Sequence, residues 1–362
     1  MRKPSCVTLA LILGAGCGGN DPSSGPFDAP PADGQHDGSL RADGPIDGPI
    51  DGLPDGPLID ARPSGPVTLT LNGAIAPVHD PSIIAAGGQY YVFATGTGLP
   101  IRTSTDLVNW SLGGQVFASK PEWITTTDPQ SPNTLWAPDV SFFGGQYHLY
   151  YAASSFGSNN SCIGHATTPA IGTSPWVDQG SAVICSNSSD NWNALDPAAV
   201  IDTEGNGWLA FGSFWGGLKL IRIDVATGAR QGTDFISLAT RANTAVEASF
   251  IIHHGDSYYL FESVDFCCRG VDSTYKIMVG RSPGIEGPYV DHDGTTLLSG
   301  GGTLVLEGDA RWRGPGHNAI LHLASGDYNI YHSYDANANG LPTLRISELF
   351  WSADGWPISA GP

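Results

Sequence analysis

Residues 67–362 predict an all-β chain folded as a five-bladed β-propeller, on three observations. The region carries five degenerate repeats of one pattern, its clear apolar spacing is period two, and each repeat holds a Gly-containing turn between two apolar runs. Period-two alternation sends side chains to alternate faces of a strand, and a tight turn between two such runs is a hairpin. No segment shows convincing helical spacing, so no helix is expected.

The units follow in order. They read HDPSIIAAGGQYYVFATG from His79, APDVSFFGGQYHLYYAASS from Ala137 and LDPAAVIDTEGNGWLAFGS from Leu195. VEASFIIHHGDSYYLFES from Val246 and GHNAILHLASGDYNIYHSYD from Gly316 complete the set. Their openings fall at Asp80, Asp139, Asp196, Glu247 and His317, roughly 50–70 residues apart, a length that suits one four-stranded sheet per unit. If each unit's first strand lines a central channel, the opening residues converge at one mouth. A pair of β-sandwiches would not explain five repeats with acids in one register.

The composition agrees. Only 14% of residues are charged, while Gly (48) and Pro (27) abound, as tight turns require. The formal charge of −19 divides into −5 over residues 1–66 (four Lys/Arg, nine Asp) and −14 over 67–362. With no basic run to offset it, an acidic surface repels phosphate backbones, which excludes nucleic acid as a partner. A neutral sugar is compatible with this charge, and a monomer is expected.

The N-terminus carries an export signal. Met1-Arg2-Lys3 is basic, Val7 to Leu13 is apolar, and Gly14-Ala15-Gly16 precedes Cys17. The apolar run is too short to span a bilayer, so residues 1–17 read as a cleaved signal peptide. A cysteine after small residues is similar to a bacterial lipoprotein site, with Cys17 as the lipid-bearing N-terminus and the membrane reached only through that anchor. The usual Leu lies one residue too far upstream, at Leu13, and a plain secretory signal is the alternative. Residues 18–66, centred on ADGPIDGPIDGLPDGPLID, hold too few apolar groups to offset ordering entropy and are expected to be a disordered linker. Their Asp-Gly spacing fits neither an EF-hand nor a nonapeptide β-roll. Of the remaining cysteines, Cys162 and Cys185 could bridge neighbouring strands. Cys267 and Cys268 are adjacent, and their state is left open.

An Asp opening a strand often only caps a turn. Acids recurring at one mouth are different, because mutual repulsion raises at least one pKa. Asp80, Asp196 and Glu247 form such a set, and Asp139 is read as structural. Cleavage of a glycosidic bond needs one carboxylic acid to protonate the leaving oxygen and one carboxylate to activate water or attack. Acids on opposed blades leave room for a water, which favours inversion. Trp136, Phe156, Phe214 and Trp215 are candidates to stack on sugar faces.

Several stretches, in order, carry a family resemblance: HDPSII, IRTSTDLVNW, LWAPDVSF, SSFGSN, DPAAV, FGSFWGG, VEASF, FCCRGVDSTYKIMVGRS and GPGHN. From about Val78 to Trp356 the chain resembles glycoside hydrolase family 43, specifically its endo-α-1,5-L-arabinanases, enzymes of plant cell-wall arabinan degradation. The resemblance implies Asp80 as general base, Glu247 as general acid, and Asp196 as the residue that orients the acid and keeps its pKa high. It implies a calcium ion held by His317 and waters in the channel. It also places Trp136, Phe156, Ser213, Phe214, Cys267 and Arg269 along the arabinan-binding groove. Glu247 is followed by Ala-Ser where the family more often has Ala-Pro, and Cys162 with Cys185 suggests a private disulfide. Competing readings are an exo-acting α-L-arabinofuranosidase, a β-xylosidase, and a surface protein that binds carbohydrate without catalysis. Many β-xylosidases add a C-terminal β-sandwich, whereas this chain stops at Pro362. Fructan hydrolases open with NDPNG rather than HDPS.

Overall fold

The computed structural model describes residues 65–127, 133–242 and 244–362. The signal at 1–17, Cys17 and all but the last two residues of the 18–66 linker lie outside the described residues. Five antiparallel sheets form the five blades. The innermost strands are Ser82–Ala86, Thr134–Phe143, Ala198–Ile201, Val246–His254 and Trp312–Leu323, and each pairs with the next strand through the expected hairpin. The first blade gains an outer strand, Asn72–Gly73, parallel to Asn109–Gln115. In the second, Ile184–Ser186 and Val177–Asp178 both pair with Ser161–Thr168. The helix-free expectation needs a correction: among the described residues, Glu122–Thr127 forms a short α-helix before the second blade, and three single 3₁₀ turns lie in loops.

The alternation of the strands sets where the core sits. Tyr90 and Tyr91 are neighbours in sequence, yet Tyr90 packs towards the fifth blade and Tyr91 towards the second. Tyr150 and Tyr151 divide in the same way between the third and first blades. Five separate apolar clusters result, one in each gap between adjacent blades. Leu69, Leu71 and Val78 fill the gap between the fifth blade and the first, beside Ile330, Leu344 and Ile346. The chain before the first blade thus seals the ring.

Candidate active site

A shared backbone feature turns side chains into the channel mouth. Asp80 and Asp196 stand two residues before their inner strands, and Ala137, Ala248 and His317 lie within theirs, all in the left-handed region, with φ of 50°, 55°, 45°, 55° and 52°. Such angles cost non-glycine residues on the order of 1–3 kcal/mol and persist only where the surroundings fix them. Four of the five backbone N–H groups are held by a side chain of the preceding blade. Asp80 donates to His332 Nδ1 (3.1 Å), Ala137 to Thr95 Oγ1 (2.8 Å), Ala248 to Asp196 Oδ2 (3.1 Å) and His317 to Ser263 Oγ (2.8 Å).

This geometry corrects the expected register. Asp80 and Asp196 are equivalent, but Glu247 lies one residue before the equivalent Ala248, and Asp139 two residues after Ala137. Asp139 instead matches Ser82 in the strand pairing. It is buried, accepts from Ser82 Oγ (3.4 Å) and the Ala199 N–H (2.9 Å), and ties three blades together. Burial pushes its carboxyl up to about 7. The structural reading of Asp139 agrees with these contacts.

The three acids of the mouth have different environments. Asp80 Oδ1 lies 2.8 Å from His79 Nδ1 and 3.2 Å from His317 Nδ1, while Oδ2 accepts from Thr95 Oγ1 at 2.6 Å. Burial alone would raise its pKa, yet His79 and His317 together hold it well below the usual carboxylate range. Glu247 is 7% exposed. Its Oε2 accepts from Ser213 Oγ (2.6 Å) and its Oε1 from Tyr275 OH (2.8 Å). Burial raises its pKa, with Asp80 adding to the rise, and the two hydroxyl donors restrain it. Asp196 stands 4.0 Å from His317 Nδ1 and is raised well above its ordinary value by burial, Glu247 and Asp80. His317 moves up to about 9: burial works against this, but Asp80, Asp196 and Glu247 surround it.

The donors at His317 allow a test of the calcium expectation. Nδ1 faces Asp80, which leaves Nε2 as the ligating atom, and a histidine ligand commonly gives its other ring nitrogen to a carboxylate. His317 belongs to no group of three metal-binding side chains among the described residues. The residues therefore fit a cation held by one imidazole, with water supplying the oxygen ligands calcium prefers, provided the cation displaces the second ring proton that the surrounding carboxylates otherwise hold on His317.

The expected groove residues divide. Phe156 is 84% exposed, and Phe214 lines a depression of about 380 Å³ with Trp215, Thr244 and Phe266. Arg269 is exposed and lies over the Phe266 ring at 4.1 Å. Trp136 is half-buried, beside the strained Ala137. Cys267 is half-buried and bonded to Cys268. Ser213 departs from the groove expectation: it is 2% exposed, and its hydroxyl is taken up by Glu247. Cys162 and Cys185 face each other across paired strands and are joined.

Sequence reasoning passed over His79, Thr95, Tyr275, His332 and Tyr334. A signal existed for two of them, since His332 and Tyr334 alternate on one strand and share a face. Gly316 makes room for Tyr275, whose ring carbons lie 2.1 and 2.3 Å from where a Cβ would stand.

Comparison with known proteins places this mouth in a family. The model for Glycosyl hydrolases family 43 matches residues 75–357. An extracellular endo-α-(1→5)-L-arabinanase of Bacillus subtilis is 44% identical over 286 residues, covering 77% of this chain and 87% of the relative. An extracellular exo-α-(1→5)-L-arabinofuranosidase of Cellvibrio japonicus is 40% identical over 296 residues, with 77% and 85% covered. The solved structure of a family 43 endo-arabinanase from Bacillus licheniformis superposes with a TM-score of 0.77 at 46% identity, covering 80% of this chain and 99% of that one. With five blades, acids at one mouth and a family match over nearly the whole described region, the chain belongs to glycosyl hydrolases family 43.

Proposed function

We propose that this protein is an exported, inverting endo-arabinanase that cleaves internal α-1,5 bonds of arabinan. The observation that carries this reading is the opposite ionisation of two carboxyls at one mouth: Asp80 is held charged while Glu247 is pushed towards its protonated form. Asp80 takes a proton from water, the water oxygen attacks the anomeric carbon, and Glu247 protonates the departing sugar oxygen. The anomeric centre inverts in this single displacement. Asp196 serves the acid through the backbone, because its Oδ2 holds the N–H of Ala248, the residue after Glu247. The elevation of Glu247 comes from burial and Asp80. A calcium ion bound by His317 Nε2 and water would supply positive charge beside the carboxylates.

Asp80→Asn and Glu247→Gln should each lower turnover on linear arabinan by roughly 10²–10⁴-fold, the worth of a general acid or base. Either variant retaining above about a tenth of the wild-type rate refutes the assignment. Early products should be a spread of oligosaccharides with β reducing ends. A single product size from the first minutes would instead favour the exo-acting reading. For location, we place a lipid on Cys17, so that Cys17→Ser should release the protein from membranes.

A further inference from the structure

Asp80 is gripped from two sides by a stacked pair of histidines. His79 and His332 lie ring to ring at 3.9 Å. His332 Nδ1 accepts the Asp80 backbone N–H, while His79 Nδ1 meets the Asp80 carboxylate. For His79 to donate from Nδ1 in its neutral form, Nε2 must be the acceptor. The group that supplies a hydrogen there is the Tyr334 hydroxyl, 2.7 Å away. That hydroxyl in turn accepts the backbone N–H of Cys268 at 2.8 Å. With His79 neutral and its proton on Nδ1, the order of donation is continuous: Cys268 N–H to Tyr334, Tyr334 O–H to His79, His79 N–H to Asp80.

The chain begins at a backbone group that is itself constrained. Cys268 stands at φ 66° and is bonded to its neighbour Cys267, so the direction of its N–H is fixed by a covalent ring. Its sulfur lies 3.9 Å from His79 Nε2. While the sulfurs are bonded to each other, neither carries a hydrogen that could compete with Tyr334 for the lone pair of Nε2. Opening the bond creates such a competitor and frees the backbone turn together.

We propose that the Cys267–Cys268 loop is a positioning element for Asp80, acting through Tyr334 and His79, so that hydrolysis slows when this disulfide is opened. The opening step is a two-electron reduction by a dithiol: the S–S bond breaks, two S–H bonds form, and the dithiol becomes a disulfide. The inference rests on Asp80 being the general base, and it deepens that assignment without altering the substrate.

The test is a kinetic double-mutant cycle in the full chain, with a linear α-1,5-arabino-oligosaccharide as substrate. Misplacement of a reacting group by a fraction of an ångström to an ångström costs roughly 10–100-fold in rate. Tyr334→Phe should lower kcat by that amount with KM within about twofold of wild type. Cys267→Ala/Cys268→Ala should show the same division, and the triple variant should lose no more than the larger of the two, because all act along one chain. The serine pair replaces the alanine pair should the latter fail to fold. Losses that multiply in the triple variant overturn the proposal. So does a raised KM with kcat intact, which would make the loop a sugar contact only. An unchanged kcat in Tyr334→Phe overturns the relay alone, whereas full activity in Asp80→Asn would overturn the function assignment itself.

Discussion

The hydroxyls of Ser213 and Tyr275 should set the upper pH limit of the enzyme. Both donate to the Glu247 carboxylate, at 2.6 and 2.8 Å, and so stabilise its charged form over the neutral acid. A hydrogen bond to a charged group is worth about 1.5–3 kcal/mol, and at the lower end this corresponds to about one pKa unit. The general acid works only while protonated, so kcat/KM falls as pH rises through the apparent pKa of Glu247. Removing a donor raises that pKa and moves the alkaline limb upward. Ser213→Ala and Tyr275→Phe should each shift it by about one unit, and the double variant by about two. The assay is the pH profile of kcat/KM on linear arabino-oligosaccharides, with the acidic limb as internal control because Asp80 is held low independently. An alkaline limb that stays in place or moves down in both single variants refutes the reasoning.

Gly316→Ala should place a Cβ 2.1 Å from the Tyr275 ring, lowering stability by about 1–3 kcal/mol and moving the alkaline limb as Tyr275→Phe does. A melting scan and the same pH profile check it, and an unperturbed profile would mean the ring has room to yield. His317→Ala should lower turnover and melting temperature together, with excess chelator reproducing part of both. Elemental analysis showing below about a tenth of an equivalent of calcium, with chelator inert, removes the metal from the assignment. Burial pushes His148 and His165 down to about 4 and about 3, so both rings should remain neutral at pH 5.5. Imidazole NMR signals for either ring that titrate near the ordinary value of about 6.5 would contradict this.

The ring was legible because its cause is local. Runs such as Gln89–Phe93 are apolar at four successive positions, so both faces of the strand must be covered, and five repeats of the same demand close on themselves. Asp80 and Asp196 were legible for a related reason, since each precedes a proline at the strained opening of an inner strand. Glu247 reaches the mouth from one residue earlier, so its apparent register was only approximate. The supporting residues were harder to see. His79, Tyr275 and Tyr334 belong to three different blade segments, and beyond the face that Tyr334 shares with His332 nothing in their own neighbourhoods places them around Asp80 and Glu247. Tyr275 is defined by what Gly316 lacks, a relation between positions 41 residues apart. Ser213 sits beside the exposed Phe214 and Trp215, and its neighbours disguised an inward-facing hydroxyl as a groove contact.

The seam filled by Leu69, Leu71 and Val78 ties the order of synthesis to the order of assembly. These residues leave the ribosome before any blade, yet their partners Leu344 and Ile346 are among the last to arrive. Val67 and Thr68 reach Glu348 and Ser347 across sequence separations of 281 and 279. Closing so long a loop costs only about 2 kcal/mol more than closing one of 20 residues, because the entropy grows with the logarithm of length. The penalty falls on timing instead, since contacts this distant form slowly. An opening segment that must wait for its partner leaves apolar surface uncovered until the fifth blade is made, and that interval is when the chain is most exposed to proteases and to other copies of itself.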